Sequence, residues 1–388
     1  MLSVAKASNR IKFTKREHDP MNRSVIIAFV KRESVVTISS LLALISMAFV
    51  PPSLKYLHYI DWKVLGCLFS LMLVVAGFRK MHVFTKLSGL LLRLAHTPRQ
   101  VSALLVGMTF FMSMGITNDV ALITFVPLTI VVFSLCNEPR PILMTVVLQS
   151  VAANVGSALT PVGNPQNLFI YSFYDIPLKE FFLTMLPFVG SGLLLLFVLL
   201  LLIPSRSKDF HLQVQETPQL DKRKAVKYLL LFVLSIAAVF DLVPWLVAAA
   251  AVVIFSEKIL LKDVDYSLLL TFIGLFVFVG NLGELDRVKH ALQGLLQGKV
   301  FLASLFASQI ISNVPATLLL SQFTENGKQL LLGVNAGGCG TLIASMASVI
   351  SFKCYVRYKP SDVGKYLAAF TWVNILFVLL FISVWIFL

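Results

Sequence analysis

Four short polar clusters interrupt an otherwise apolar chain. They are Thr117, Asn118 and Asp119 in "SMGITNDVALITF", residues 154–167 in "NVGSALTPVGNPQN", Ser312, Asn313 and Thr317 in "ISNVPATLLL", and residues 335–345 in "NAGGCGTLIAS". Hydroxyls, carboxamides and carbonyls of this kind suit sodium, a hard cation that takes oxygen ligands, while helix starts among them offer free N–H groups to an anion. Asp119 is the one acidic residue expected near the membrane centre, because Asp61, Asp241, Asp265 and Glu284 fall at helix ends. A carboxylate in hydrocarbon is costly and is a functional candidate by default, here for sodium or proton binding; the plainer alternative is a cap for the helix it begins. No Lys or Arg is expected at that depth. An anionic substrate would therefore be neutralised by helix ends and co-bound cations alone. Cys67, Cys136, Cys339 and Cys354 are scattered, and no His, Cys or paired carboxylates cluster. No enzyme, disulfide, metal centre or cofactor other than a coupling ion is expected.

The elements that hold these clusters must be membrane helices. The 388 residues are 57% hydrophobic and 13% charged, too little charge to cover a soluble surface, and the net charge of +14 sits between apolar segments rather than in a nucleic-acid-binding patch. Continuous spans are expected at 34–50, 62–78, 178–203, 226–241, 245–259, 267–280 and 363–388, with helices broken near the midplane at 141–174 and 329–355. The stretches 101–133 and 300–323 break at a central polar tip and suggest re-entrant hairpins. With nine crossings, most of the 33 Lys and Arg residues fall on one side, together with the basic tail 1–33, which places the N-terminus in the cytoplasm. Two amphipathic stretches, 82–96 and 285–297, are expected to lie along the interface.

Repetition orders these elements into two halves. "IDWKVLGCLFSLMLVVAG" (60–77) is similar to "VDYSLLLTFIGLFVFVG" (264–280), "TNDVA" to "SNVPA", and Asn154, Gly156 and Thr160 recur at identical spacing as Asn335, Gly337 and Thr341. With nine crossings the second half must insert upside down, the inverted repeat of many secondary transporters. The expected organisation is a first repeat at 34–204, a cytoplasmic loop and connecting helix at 205–244, and a second repeat at 245–388.

"GSALTPVGNPQNLFI", "ISNVPATLLL" and "GVNAGGCGTLIASMASVI" resemble the ion transporter superfamily, which includes divalent anion/sodium symporters, citrate transporters, arsenite permeases and a class of sodium/proton antiporters. The resemblance covers the chain from about residue 35 to the end. It implies an all-α polytopic inverted-repeat transporter with two hairpins and two broken helices, elevator transport on a homodimeric scaffold, and a multi-pass place in the plasma (inner) membrane. It also implies cation-binding positions at Thr117, Asn118, Asp119, Thr160, Gly163 and Asn164 and, in the second half, at Ser312, Asn313, Thr341, Ala344 and Ser345. Substrate contacts are implied at Asn118, Asn164, Pro165, Asn313, Thr317 and Ser345. Asp119 and Val314 stand where a dicarboxylate symporter places a hydroxyl, and the Asn-Asp pair is similar to arsenite permeases. The expected function is secondary transport of a small carboxylate or inorganic oxyanion coupled to sodium or protons. The alternative is proton-coupled efflux of arsenite or another metalloid.

Overall fold

The structure is a computed structural model describing residues 33–136, 138–205 and 221–388. The predicted tail, apart from residue 33, and most of the predicted central loop lie outside the described residues. Helices form wherever the apolar runs predict them: α1 (Ser34–Met47), α2 (Tyr56–Tyr59), α3 (Trp62–Lys80), α4 (Val83–Leu92), α5 (Pro98–Ile116), α6 (Asn118–Leu135), α7 (Ile142–Ser157), α8 (Pro165–Phe173) and α9 (Leu178–Leu200). They continue as α10 (Lys222–Val239), α11 (Trp245–Phe255), α12 (Tyr266–Gly283), α13 (Asp286–Leu296), α14 (Val300–Ile311), α15 (Asn313–Ser321), α16 (Gly327–Gly338), α17 (Met346–Tyr358) and α18 (Val363–Phe387). No strand occurs among the described residues.

Side-chain caps fix several helix starts by satisfying backbone donors that lack a partner in the first turn. Asp61 accepts from the Val64 N–H at 2.9 Å and Asp265 from the Leu268 N–H at 3.0 Å, the same bond at the same place in the two similar segments. Thr97 and Asn164 each cap a helix whose first residue is proline, where a missing N–H costs nothing. α3, α5, α6, α9, α12 and the stretch Pro360–Phe387 are long and apolar enough to cross a membrane. Both arms of the first predicted hairpin thus have crossing length, whereas α14 and α15 are too short. α13 and α14 meet at 110°, the sharp turn expected where an interfacial helix feeds a membrane-embedded one.

One expected span ends early. The run at 245–259 stops helically at Phe255, and 3₁₀ geometry follows over Lys258–Asp263. Ser256 is extended, and the next backbone N–H, that of Glu257, donates to the Tyr228 hydroxyl at 3.1 Å. The Glu257 carboxylate pairs with Lys224 at 2.8 Å and Lys80 at 2.6 Å, tying α10 and α3 to the end of α11. Hydrogen bonds from Lys224 and then Lys80 pull the Glu257 carboxyl from 4.5 down to about 2. A carboxyl depressed by folding stabilises fully above its unfolded value and loses that contribution as pH falls from about 4.5 to about 2. The thermal midpoint of detergent-purified protein will therefore drop across that window, and less steeply in Glu257→Gln. The clamp is partly exposed, so high salt will shrink the difference between the two.

Packing between the halves is reciprocal. α1 packs on α12 and α11 on α3; deeper in, α6 packs on α17 while α8 packs on α15. Within each half the first hairpin arm lies against the helix that leads into the break, α5 on α7 and α14 on α16. Gly156 and Gly337 permit those two approaches: a Cβ on Gly156 would overlap the Phe110 carbonyl, and one on Gly337 would press on the Ser308 side chain.

Candidate functional site

Each tip turns on one residue. Thr117 (φ 74°, ψ 151°) and Ser312 (φ 73°, ψ 155°) share a backbone conformation that is almost confined to glycine and costs about 1–3 kcal/mol. It persists because the next residue is held from across the break. The Asn118 N–H donates to the Gly163 carbonyl at 3.2 Å, and the Asn313 N–H to the Ala344 carbonyl at 2.9 Å. Behind each tip a break hydroxyl returns the contact: Thr160 donates to the Met114 carbonyl, and Thr341 to the Gln309 carbonyl at 3.0 Å. The predicted pairs Thr117/Ser312, Gly163/Ala344 and Thr160/Thr341 are therefore backbone-shaping positions with matching geometry in both halves.

Asparagines join the halves. Asn154 Oδ1 accepts from Asn118 Nδ2 at 3.1 Å and from the Ser345 hydroxyl at 2.9 Å, while Asn154 Nδ2 donates to the Gly338 carbonyl at 3.0 Å. In the opposite sense, Asn164 Nδ2 donates to Asn335 Oδ1 at 3.2 Å, and Asn335 Nδ2 to Asn167 Oδ1 at 2.7 Å. A carboxamide has two donors and a two-lone-pair acceptor, so these bonds consume most of what Asn154 and Asn335 offer. The residue before each second half-helix, Asn164 or Ser345, thus reaches the asparagine of the other half.

A cavity of about 610 Å³ opens beside this network. One wall is the facing stripe of α1 and α12, including Ile38, Ser39, Leu42, Ser267, Thr271 and Leu275. The opposite wall carries the first residues of four helices: Asn118 and Asp119 of α6, Pro165 and Gln166 of α8, Asn313 of α15, and Met346 of α17 after Ser345. Four helix N-termini at one cavity concentrate partial positive charge, while the N–H groups of Asn118, Asp119, Asn167 and Asn313 are already held by protein oxygens.

The expected site residues divide between these two places. Asn118, Asp119, Pro165, Ser312, Asn313 and Ser345 line the cavity. Thr117, Thr160, Gly163, Asn164, Thr317, Thr341 and Ala344 do not line it, and the Asn164 side chain is occupied by Asn335, Ser157 and the Asn167 N–H. Asp119 does not act as the cap allowed for in the sequence. Its own N–H is held by Asn118 Oδ1 at 2.9 Å, and its carboxylate has no hydrogen-bond partner or cation among the described residues.

Four residues escaped the sequence reading. Asp265, expected merely at a helix end, faces the same cavity as Asp119, close enough for the two carboxylates to repel. Lys353 lines the cavity as well, the one basic side chain on its described wall. Gln166 is 2% exposed, borders the cavity, and has no hydrogen-bond partner for its carboxamide among the described residues. Gln309 fastens the second break, accepting from the Thr341 N–H and donating to the Gly337 carbonyl, both at 2.8 Å. A larger groove of about 960 Å³ beneath α13 touches none of the motif residues.

Comparison with known proteins bears on what such an arrangement does. The family model described as citrate transporter matches residues 24–327. An uncharacterized transporter of Methanocaldococcus jannaschii is 34% identical over 304 residues, covering 77% of this chain and 83% of its own length. The inner membrane protein YbiR of Escherichia coli is 33% identical over 305 residues, 76% of this chain and 80% of its own. Among solved structures, the YdaH transporter of Alcanivorax borkumensis aligns over 92% of this chain and 96% of that one, with a TM-score of 0.54 and 15% sequence identity. At that identity the likeness is one of fold.

Proposed function

The chain belongs to the citrate transporter family, and on that premise we propose that it is a secondary active transporter moving a small carboxylate or inorganic oxyanion, coupled to sodium or protons. The observation that carries this reading is the convergence of four helix starts on one cavity whose single acid at the tips, Asp119, is left without a partner. Helix N-termini favour an anion, and a carboxylate among them repels it unless a cation or proton occupies the carboxylate first. Coupling follows from that order of binding.

In this reading the chain crosses the plasma membrane nine times as an inverted repeat, α5/α6 and α14/α15 are re-entrant hairpins, and the N-terminus is cytoplasmic. The hairpins and broken helices move together as the substrate-carrying body past α1, α3, α11 and α12, in a homodimer. The reciprocal packing and matching tip geometry support two related halves. Coupling ions bind at the tips, with Asp119 at the first and Ser312 and Asn313 at the second.

A second reading, proton-coupled efflux of a neutral metalloid hydroxide, draws on Asp265 facing Asp119, since two carboxylates across a cavity suit proton exchange better than anion binding.

Thermal stability of the purified protein across sodium at fixed ionic strength separates these readings, because a ligand bound only by the folded state raises its stability as RT ln(1 + [L]/Kd). The anion-symport reading predicts a sodium-specific rise, enlarged by citrate or phosphate and absent in Asp119→Asn. A response to pH alone, dependent on Asp119, would favour the second.

A further inference from the structure

Two long polar side chains on the cavity wall that were not expected as site residues, Lys353 and Gln166, have no partner among the described residues. Lys353 belongs to α17, where Met346, Val349 and Lys353 all line the cavity at spacings of three and four residues, one face of a helix. It makes no ion pair among the described residues. Lys353 is exposed, and its Cα lies about 10 Å along the helix from Met346, so the cavity-facing stripe of α17 runs from the tips at Met346 to Lys353. Gln166 lies at the tip end, in the first turn of α8; the residue is 2% exposed, and its carboxamide borders the cavity with no hydrogen-bond partner among the described residues. A carboxamide at a cavity wall with no protein partner keeps its donors free for a ligand oxygen at this position. Every other charged group on the wall, Glu33, Asp119 and Asp265, is acidic. Lys353 is thus the one group of the described wall whose full charge favours an anion.

We propose that Gln166 and Lys353 are substrate contacts: the Gln166 carboxamide donates to an oxygen of the anion beside the helix starts, and the Lys353 ammonium neutralises its charge from the α17 face. The acidic groups on the facing wall make this pair the determinant of selectivity for anions over neutral solutes of equal size. This rests on the anion-transport reading above.

The test is saturation kinetics of labelled citrate and phosphate uptake into proteoliposomes holding the full chain. Lys353→Gln will raise KM about tenfold or more with little change in maximal rate, and Lys353→Arg will stay near wild type, as expected for loss of one charge-assisted hydrogen bond. Gln166→Met, of similar volume, will also raise KM, with its thermal midpoint measured alongside to show that it folds. Saturable wild-type uptake with unchanged KM in Lys353→Gln overturns the proposal and leaves the transport reading standing. A Lys353→Arg variant as impaired as Lys353→Gln also overturns it, since that marks a packing role. If the wild type moves neither anion under either gradient, the transport reading fails and the proposal with it.

Discussion

Asp119→Asn will abolish gradient-driven accumulation of substrate, lowering the coupled rate about a hundredfold or more, while the purified protein without ligand unfolds at an equal or higher temperature. The two effects have one cause. The carboxylate has no partner among the described residues, so in the empty protein its charge is uncompensated, with a second carboxylate, Asp265, on the same cavity. Losing an anionic ligand from a cation site costs about 3 kcal/mol in binding, roughly a factor of a hundred. Asparagine keeps the shape and relieves the repulsion. Uptake assays and thermal melts on the same two preparations measure both halves of the expectation. A variant that is both inactive and markedly less stable would instead make Asp119 a structural residue.

Asn154→Leu is expected to have the largest effect on stability, about 2–4 kcal/mol. It strips Asn118 Nδ2 and the Ser345 hydroxyl of their acceptor and the Gly338 carbonyl of a donor, at a point where the residue is 5% exposed. Each buried group left unsatisfied costs about 1–3 kcal/mol in proteins generally, and interhelical hydrogen bonds in membranes average about 0.6 kcal/mol, which together bracket the estimate. Because Ser345→Ala removes one of the same bonds, the double variant should fall short of the sum. Equilibrium unfolding of the four proteins gives the coupling directly; additive losses would mean that the bond between the halves contributes nothing.

Periodicity and repetition made the helices legible because both are local in sequence. The nearly equal φ and ψ of Thr117 and Ser312, and the matching caps Asp61 and Asp265, realise in three dimensions a likeness already visible between "TNDVA" and "SNVPA" and between "IDW" and "VDY". The division of labour among polar residues was harder to read, since it depends on which way each side chain turns at a break. Asn164 and Asp119 were expected in one cation site, yet the Asn164 carboxamide is turned to Asn335 and only Asp119 borders the cavity. Lys353 lies close to Arg357 and Lys359 in the chain and reads there as part of a basic surface stretch. Only the rotation of α17 brings it to the cavity. Gln166 sits between two expected residues in "NPQN", and nothing local distinguishes a carboxamide that bonds within the break from one that faces open space.

In the proposed function the cavity carries an anion whose entry is tied to a cation at Asp119. Uptake of labelled citrate and phosphate into proteoliposomes, under an imposed sodium or proton gradient and with no other driving force, tests this most directly. The predicted result is saturable accumulation above the outside concentration for at least one of the anions, collapsed by an ionophore for the coupling ion and absent in Asp119→Asn. Uptake that stops at equal concentrations, ignores the gradient and is indifferent to Asp119 would contradict it.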